Sequence, residues 1–459
     1  MLDGKIDGEL FVDDLEPVMD FNTFLFYLFT ATSVIYITHL GFYLIGASLY
    51  DVWQARRRMR FHMPQSIVRL HPNVTVLVPA HNEEKVIERC LQSIFKNSYS
   101  NFDVMVVNDA STDATKHIVN LYRKLHPEYK LRVIHRHMNT GKGAALNYAL
   151  GRYVKSKFVM MLDADSVLAS DAIERAISYF SDPTVVGVAA NVQVMNQHTT
   201  LSILQKFEHM IGYRAKKTYS LTNCEFVVGG VASTYRTKSI RAIGFYDTDT
   251  MTEDISLSMK IVARGNKANR LVYAADVMAM TEPVESFRGL FRQRYRWKYG
   301  SFQNILKHNQ LIGKNDQNYT SMLTIYRLPM ALLSEILLLL LPFTWAYAVY
   351  LMVMHNSLIL LLGTYITMTA YMFLTLWYDE HLRFRERLYL TLYVPLAYFI
   401  FYIMDVIQVM AVTLCVLRAH RLVQRHSSGS IWHSPSRIGG QVIGVPATNS
   451  VQVMEKTHE

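Results

Sequence analysis

Phe158-Val159-Met160-Met161-Leu162-Asp163-Ala164-Asp165 is the stretch of this 459-residue chain that decides its fold. Five apolar residues followed at once by a carboxylate predict a short buried strand that ends at Asp163. In open α/β sheets, ligands lie beyond the carboxyl ends of the strands. The stretch therefore predicts a sheet with an acidic site, containing Asp163 and Asp165, at one edge. A surface turn that contains two acids is the simpler alternative.

The residues before this strand alternate between strand and helix patterns. Apolar, β-branched runs predict three more strands, at 74–78, 102–107 and 131–134. Apolar residues at helical spacing predict helices at 86–95 and 143–153. Asn82 is expected to cap the first of these helices. Strands that alternate with helices form a doubly wound, largely parallel sheet, so the sequence predicts an α/β domain of that class.

Two further polar motifs follow the acidic strand end, Thr252-Glu253-Asp254 and Gln293-Arg294-Tyr295-Arg296-Trp297. Acids spaced as in Asp-x-Asp can hold a divalent metal on a diphosphate, because hard cations prefer oxygen ligands. Asp254 can accept a proton from an alcohol if it lies within hydrogen-bonding reach. Arg296 offers planar, bidentate donors to phosphate, and Trp297 can stack on a sugar ring.

Each of these motifs also has a purely structural interpretation. Asp254 can be a first-turn acid that favours a helix N-terminus, and this role is compatible with catalysis. The basic residues around the second motif are predicted to form a charge band at the membrane surface. Its members are Arg292, Arg294 and Lys298.

The composition indicates membrane segments and excludes several classes of protein. The chain is 51% hydrophobic and only 18% charged, whereas a soluble globular chain carries about 25% charged residues. Its three cysteines lack the spacing of a disulfide framework or a zinc site. Gly-x-Gly-x-x-Gly and Walker motifs do not occur, which argues against dinucleotide oxidoreductases and P-loop enzymes. The net charge of +10 fits phosphate-bearing substrates or anionic lipids.

Residues 21–50 contain no Asp, Glu, Lys or Arg and are long enough to cross a bilayer. An acidic segment precedes them, and Arg56, Arg57, Arg58 and Arg60 follow. The positive-inside rule therefore predicts an outside N-terminus and a cytoplasmic domain after residue 55. This makes the protein a candidate multi-pass protein of the cell (inner) membrane.

A second apolar region predicts further spans at 329–354, 357–377 and 388–417. The last of these contains Asp405, and intramembrane carboxylates usually face a partner or a wet cavity. Four simple spans would leave the C-terminal tail outside, although its basic residues favour the cytoplasm. One segment is therefore expected to be re-entrant or interfacial, and the sequence leaves open which one.

Six motifs in order resemble a known family. They are Val76–Glu84, Val106–Ser111, Thr140–Asn147, Asp163-Ala164-Asp165, Thr252-Glu253-Asp254 and Gln293-x-x-Arg296-Trp297. The series resembles the family 2 inverting glycosyltransferases, which have the GT-A fold. Gln-x-x-Arg-Trp beside membrane segments resembles the processive polysaccharide synthases, most of all the bacterial poly-β-1,6-N-acetylglucosamine synthases. Asn108 departs from the Asp that the family often has there, so only Asp109 is matched.

The resemblance implies roles for individual residues. Glu83 and Asp109 lie where the family binds uridine, and Lys142 lies where a basic group approaches the phosphates. Asp163 and Asp165 match the diphosphate and metal site, which implies Mg²⁺ or Mn²⁺. Asp254 matches the general base. The motif residues at the diphosphate and acceptor end are Glu253, Gln293, Arg296 and Trp297.

These observations predict a chain in seven parts. They are an acidic N-terminal segment (1–20), a transmembrane helix (21–50), a basic linker (51–71), a GT-A domain (72–285), interfacial helices (286–325), a transmembrane region of about three helices (326–417) and a C-terminal tail (418–459).

The implied function is inverting transfer of a sugar from a UDP-sugar to the end of a growing β-linked polysaccharide. The best candidate for the donor is UDP-N-acetylglucosamine. Transfer is expected at the cytoplasmic face of the membrane and is expected to be coupled to export. Implied partners are the donor, a carbohydrate acceptor, membrane lipid and a small membrane accessory subunit. The main alternative is a single transfer to a lipid acceptor, such as a polyprenyl phosphate or a glycolipid. A cellulose- or hyaluronan-type synthase and a non-catalytic scaffold rank lower. Nucleic-acid binding is not expected, because the basic residues cluster at membrane flanks.

Overall fold

The computed structural model describes residues 21–61, 67–195, 199–354, 358–420 and 439. The predicted acidic N-terminal segment and the tail after residue 420, Gly439 apart, lie outside the described residues.

Eight strands form one sheet in the described part of the chain. They are β1 (Val74–Ala80), β2 (Phe102–Asp109), β3 (Leu131–Arg136), β4 (Phe158–Met161), β5 (Ser166–Leu168), β6 (Val185–Val194), β7 (Ser233–Arg236) and β8 (Arg270–Thr281). Their order across the sheet is β3-β2-β1-β4-β7-β6-β8-β5. The half from β3 to β4 is parallel throughout, as is the pair β6 and β8.

The predicted α/β class is confirmed, and the sheet proves to be mixed. β7 runs antiparallel to both β4 and β6, and β5 runs antiparallel to β8. The strand predicted to end at Asp163 is β4, which pairs with β1 and lies near the middle of the sheet. Asp163 therefore follows the carboxyl end of a strand that is hydrogen-bonded to a neighbouring strand on each edge.

Twelve α-helices accompany the sheet in the described residues. They are α1 (Phe21–Phe61), α2 (Ile87–Phe95), α3 (Thr115–Leu125), α4 (Lys142–Arg152), α5 (Ala172–Tyr179), α6 (Thr200–Leu221), α7 (Thr237–Ala242), α8 (Glu253–Val262), α9 (Phe287–Lys307), α10 (Leu328–Met354), α11 (Ile359–Trp377) and α12 (Phe384–Leu417). Short 3₁₀ turns lie at Ile67–Leu70 and Asn309–Leu311, and a π-helical turn at Met322–Arg327 leads into α10.

Both faces of the sheet are buried, as the alternation of side chains along β1 and β2 shows. Val76 and Val104 belong to one hydrophobic cluster, with residues of α2 and α5. Leu77 and Met105 belong to a second cluster, with residues of α4 and α8. Successive strand residues point to opposite faces, so one strand contributes to both cores. Burial on both faces is the reason that these strands are near-continuous apolar runs.

Asn82 does not cap α2, contrary to the sequence prediction. Its φ is +57°, in the left-handed region that Asn tolerates better than most residues, and α2 begins later, at Ile87. The Asn82 side-chain oxygen instead accepts a hydrogen bond from Thr112 N at 2.8 Å. Asn82 thus joins the turn after β1 to the turn after β2.

The first helix is longer than predicted, because α1 continues to Phe61 through much of the predicted linker. The C-terminal half of α1 packs on the α/β domain. Tyr50 OH donates to Tyr273 O at 2.8 Å, and the Arg57 guanidinium lies 3.3 Å from the ring centre of Tyr179. Tyr50 and Arg57 lie about two helical turns apart and both contact the domain. Because these contacts stabilise the helix, residues 51–61 are helical and do not form a flexible linker.

Three helical segments are long and apolar enough to cross a membrane, among the described residues: Phe21–Arg57, Met322–Met354 and Phe384–Leu417. The apolar part of α11, Leu361–Trp377, is shorter. The early part of α12 packs on α6, and its later part packs on α6 and α9. Beyond its last turn, Arg418 donates to Tyr295 OH of α9 at 3.2 Å. Helix α12 therefore follows the surface of the α/β domain along much of its length.

Candidate active site

The predicted acidic motifs meet at a lysine. Lys142 is the first residue of α4, and its Nζ lies 2.5 Å from Asp163 Oδ1, just after β4. The same Nζ lies 3.5 Å from Glu253 Oε1, in the first turn of α8. The fold thus brings together three motifs that are separated in sequence by up to about 110 residues, at the carboxyl edge of β4.

Lys142 is held as a cation by these acids. Burial alone would lower its pKa, but the carboxylates of Asp163 and Glu253 outweigh burial and raise the pKa of Lys142 above its ordinary value. The ammonium therefore neutralises part of a concentrated negative charge. A group in that position can also donate to the oxygens of a bound phosphate.

Gly230 leaves the space that Lys142 occupies. A Cβ at Gly230 would stand 2.9 Å from Lys142 Nζ and 3.5 Å from Asp163 Oδ2, whereas one at Gly229 would meet nothing within 4 Å. Sequence analysis did not select Gly230 as a site residue. Two consecutive glycines in a segment without an assigned strand or helix were the available signal.

Asp254 has the surroundings of a base that works near neutral pH. Burial, followed by the nearby charge of Glu253, raises its pKa from 3.8 to about 6. Lys142, the backbone N–H of Ile255 and Arg296 act in the opposite direction and keep the pKa from rising further. The Ile255 N–H donates to Asp254 Oδ1 at 2.9 Å, which fixes the carboxylate in the first turn of α8.

Asp109 is wholly buried at the end of β2 and organises the loop before α4. Its Oδ1 accepts from Arg136 at 3.0 Å, and its Oδ2 accepts from the N–H groups of Thr140 and Gly141, each at 3.1 Å. Burial raises the pKa of Asp109, and Arg136 opposes that rise. Asp109 therefore fixes the backbone next to Lys142, and Arg136 is a partner that sequence analysis missed.

Glu83 and Asp165 are both buried. Glu83 lies in the turn after β1, where its N–H donates to Thr115 Oγ1 at 2.8 Å. Asp165 Oδ1 accepts from Ser166 Oγ at 2.8 Å and more weakly from Thr281 Oγ1 at 3.4 Å. Asp163 is the more accessible acid of the Asp-x-Asp motif, with 30% of its side chain exposed.

Helix α9 presents the residues of the Gln-x-x-Arg-Trp motif in different environments. Arg296 and Trp297 are exposed, Trp297 by 38%. Gln293 Oε1 is buried and has no hydrogen-bond partner among the described residues. The charge of Arg296 lowers the pKa of Asp254, so the exposed end of the motif lies near the proposed base.

Arg294 does not belong to a membrane-surface charge band. It is 2% exposed, forms an ion pair with Glu208 of α6, and stacks over Trp297 with its guanidinium carbon 4.3 Å from the ring centre. Lys298 likewise pairs with Glu335 of α10 at 2.8 Å. The two ion pairs depend on residues of other helices, which the local charge pattern does not show.

The donor set fits a metal that arrives together with a phosphate ligand. The described residues contain no group of three or more His, Cys, Asp or Glu side chains that could hold a metal alone. Magnesium usually keeps several waters and binds through one or two carboxylates plus substrate phosphates. Asp163, which is partly exposed, and Asp165, two residues further on, meet that requirement.

The chain is similar to known proteins over this domain. The family described as "Glycosyltransferase like family 2" matches residues 71–300. The poly-β-1,6-N-acetyl-D-glucosamine synthase of Staphylococcus aureus (strain COL) is 28% identical over 278 residues, which are 59% of this chain and 65% of the relative. That of Staphylococcus epidermidis is 26% identical over 269 residues, 58% of this chain and 63% of the relative. The matched region thus spans less than two thirds of either relative.

A solved structure shares the fold over a larger part of the chain. A mannosyltransferase from Pyrobaculum calidifontis, in complex with GDP-Man and Mn²⁺, superimposes with a TM-score of 0.56 at 21% identity. The superposition covers 85% of this chain and 98% of that one.

Proposed function

The chain belongs to the glycosyltransferase family 2 and is a glycosyltransferase, and from that premise we propose that it builds a β-linked polysaccharide from a UDP-sugar. UDP-N-acetylglucosamine is the proposed donor, and the growing chain end is the acceptor. The observation that carries the proposal is the cluster of Lys142, Asp163, Glu253 and Asp254 beside α9. It combines a phosphate-binding cation with a buried base, and the neighbouring α9 packs on α12, which is apolar enough to enter a membrane.

Asp254 is the proposed general base. An acceptor hydroxyl attacks the anomeric carbon from the face opposite the diphosphate, and its proton passes to Asp254. The bond from that carbon to the diphosphate breaks, and its electron pair leaves with UDP. Attack from the opposite face inverts the anomeric carbon, so an α-linked donor gives a β-linkage. A pKa of about 6 leaves most of Asp254 ionised at pH 7 while keeping it basic enough to take the proton.

The remaining residues bind the donor and the acceptor. Asp163 and Asp165 would hold Mg²⁺ or Mn²⁺, which would supply positive charge against the leaving diphosphate. Lys142 and Arg296 donate to phosphate oxygens, and Gln293 offers a further polar contact at this end. Trp297 stacks on the acceptor sugar. Glu83 and Asp109 border the uridine site, where Asp109 holds the loop that precedes Lys142.

We also propose that α12, although it is long and apolar enough to cross a membrane, is the segment that does not cross it. Glu386 near its start lies 3.4 Å from Lys206 of α6, and Arg418 beyond its end contacts Tyr295 of α9. Both ends therefore face the α/β domain. With α1, α10 and α11 crossing and the N-terminus outside, the domain and the C-terminal tail both lie in the cytoplasm, as the positive-inside rule requires. A C-terminal reporter that is active only in the cytoplasm should be active, and an inactive one would contradict this topology.

The function is tested with purified protein, labelled UDP-sugars and a divalent metal. UDP-N-acetylglucosamine is expected to give a labelled polymer and one UDP per sugar added, and Asp254→Asn serves as the inactive control. A product with a single sugar on a lipid would favour the alternative acceptor. Absence of UDP release with every UDP-sugar, from wild-type protein that binds UDP, would refute the proposal.

A further inference from the structure

Helix α9 continues beyond the Gln-x-x-Arg-Trp motif with four residues that all contact the segment just before Asp254. They are Gly300, Gln303, Asn304 and Lys307. Residues at these spacings share one face of a helix. The contacted segment, 247–252, leads directly into the first turn of α8, where Glu253 and Asp254 lie.

The closest of these contacts is between Gly300 and Thr252. A Cβ at Gly300 would stand 2.6 Å from Thr252 Cγ2, closer than real Cβ atoms approach other carbons. Gly300 is also buried inside a helix, where glycine costs stability relative to alanine. The close approach of α9 to the segment that contains Thr252 is the physical reason for glycine at this position.

Asn304 fixes Thr252 by hydrogen bonds. Its Nδ2 donates to Thr252 Oγ1 at 3.2 Å and to Thr252 O at 3.3 Å, in addition to Gly300 O within its own helix. The side chain is fully buried, and its Oδ1 has no hydrogen-bond partner among the described residues. An unpaired buried acceptor costs stability, so the arrangement is not one that stability alone would favour.

The other two residues hold the ends of the segment. Gln303 Oε1 accepts from Met251 N at 3.0 Å. Lys307 Nζ lies 2.6 Å from Asp247 Oδ2 and 3.0 Å from Asp249 Oδ1, and Lys260 of α8 lies 2.7 Å from Asp247 Oδ1. Asp247 therefore joins α8 to α9 through two ion pairs.

We propose that Gly300 and Asn304 are positioning residues, which set the distance between the base Asp254 on α8 and the acceptor-binding residue Trp297 on α9. This inference rests on the proposed function. The base and the acceptor site lie on different helices, so a fixed contact between the helices is needed to keep the attacking hydroxyl within reach of the carboxylate. A displacement of about 1 Å can lower the rate of a catalysed step by about 100-fold.

The variant Gly300→Ala tests the proposal, with Gly212→Ala as its matched control. Gly212 is also inside a helix, but a Cβ there meets nothing within 4 Å. Gly300→Ala is expected to lower kcat by roughly 10- to 100-fold while the affinity for UDP stays within twofold of wild type. Gly212→Ala should keep the kcat of wild type. Asn304→Ala, which adds no bulk, should lower kcat in the same way if Gly300→Ala fails to fold.

A rescue experiment separates positioning from general damage. Thr252→Gly removes all three Thr252 side-chain atoms that a Cβ at Gly300 would meet, so it should restore part of the activity lost in Gly300→Ala, giving non-additive effects. Misfolding of part of the protein would instead lower the number of UDP-binding sites and the apparent kcat in the same proportion. That result would overturn the inference. So would wild-type kcat in both Gly300→Ala and Asn304→Ala. If the wild-type protein transfers no sugar, the proposed function fails first, which distinguishes the two failures.

Discussion

The substitution Asp254→Asn is expected to abolish sugar transfer and to stabilise the folded protein. The amide has the size of the carboxylate and keeps an oxygen that can accept from the Ile255 N–H, but it cannot take up the acceptor's proton. It also carries no charge. Because burial and Glu253 raise the pKa of Asp254 from 3.8 to about 6, the ionised carboxylate costs the folded state about 3 kcal/mol at alkaline pH.

This cost depends on pH in a direction that can be checked. Above pH 6 Asp254 is ionised in both states, and the folded state bears the full cost. As the pH falls below about 6, the folded state takes up the proton first, and the difference disappears near the unfolded value of 3.8. The variant should therefore exceed wild type by about 3 kcal/mol at pH 8 and by roughly half of that at pH 5.

The assay is thermal unfolding of detergent-purified protein at pH 5 and pH 8. For a domain of this size, about 3 kcal/mol corresponds to a rise in the unfolding midpoint of roughly 6–12 °C. Asp247→Asn is the control with the opposite sign. Although burial alone would raise its pKa, hydrogen bonds from Lys260, Lys307 and Ser256 lower it to about 2, so the ionised carboxylate stabilises the fold.

Asp247→Asn should thus lose about 2 kcal/mol at pH 8, a loss that persists until the pH falls below 3.8. A lower midpoint for Asp254→Asn at pH 8, or an equal gain at both pH values, would refute the account of its buried charge. Sugar transfer by this variant would refute its role as the base.

Four further outcomes follow from the geometry of the site. Gly230→Ala should weaken UDP-sugar binding by displacing Lys142, and Gly229→Ala should not, as measured by titration with UDP. Lys142→Met should weaken UDP binding by roughly 10- to 100-fold, the value of a charge-assisted hydrogen bond; unchanged affinity would exclude Lys142 from the phosphate site. Chelation of divalent metal should stop transfer, and added Mg²⁺ or Mn²⁺ should restore it, in an assay of UDP release. Tyr50→Phe should lower the free energy of unfolding by about 1 kcal/mol through loss of its buried hydrogen bond to Tyr273 O, and should leave UDP affinity unchanged.

The part of the fold that local patterns determine could be predicted from the sequence. The strands that became β1, β2, β3 and β4 are apolar runs with polar residues at their ends, and both signals lie within a few residues. The antiparallel strand β7 was not predicted. Its four residues, Ser-Thr-Tyr-Arg, are mostly polar, and its direction depends on pairing with β4, about seventy residues away. Long-range pairing of this kind leaves no local pattern.

The candidate site divides in the same way. Asp163 and Asp254 were selected because one follows a strand and the other begins a helix, and both positions can be recognised locally. The contact of Lys142 with Asp163 depends on how the loop before α4 folds around Asp109, and the burial of Arg294 depends on Glu208 of another helix. The sequence shows which residues are charged, but it does not show which of them form ion pairs in the folded protein.

The continuous first helix has a mechanical consequence. Helix α1 has 41 residues, so it is roughly 60 Å long, about twice the thickness of a bilayer core. The C-terminal half of α1 contacts the α/β domain through Tyr50, Gln54 and Arg57. Under the proposed function, a catalytic edge held rigidly to this helix would not step along a polymer. Each added sugar would then push the polymer forward by one unit, so the force for translocation would act on the product and not on the domain.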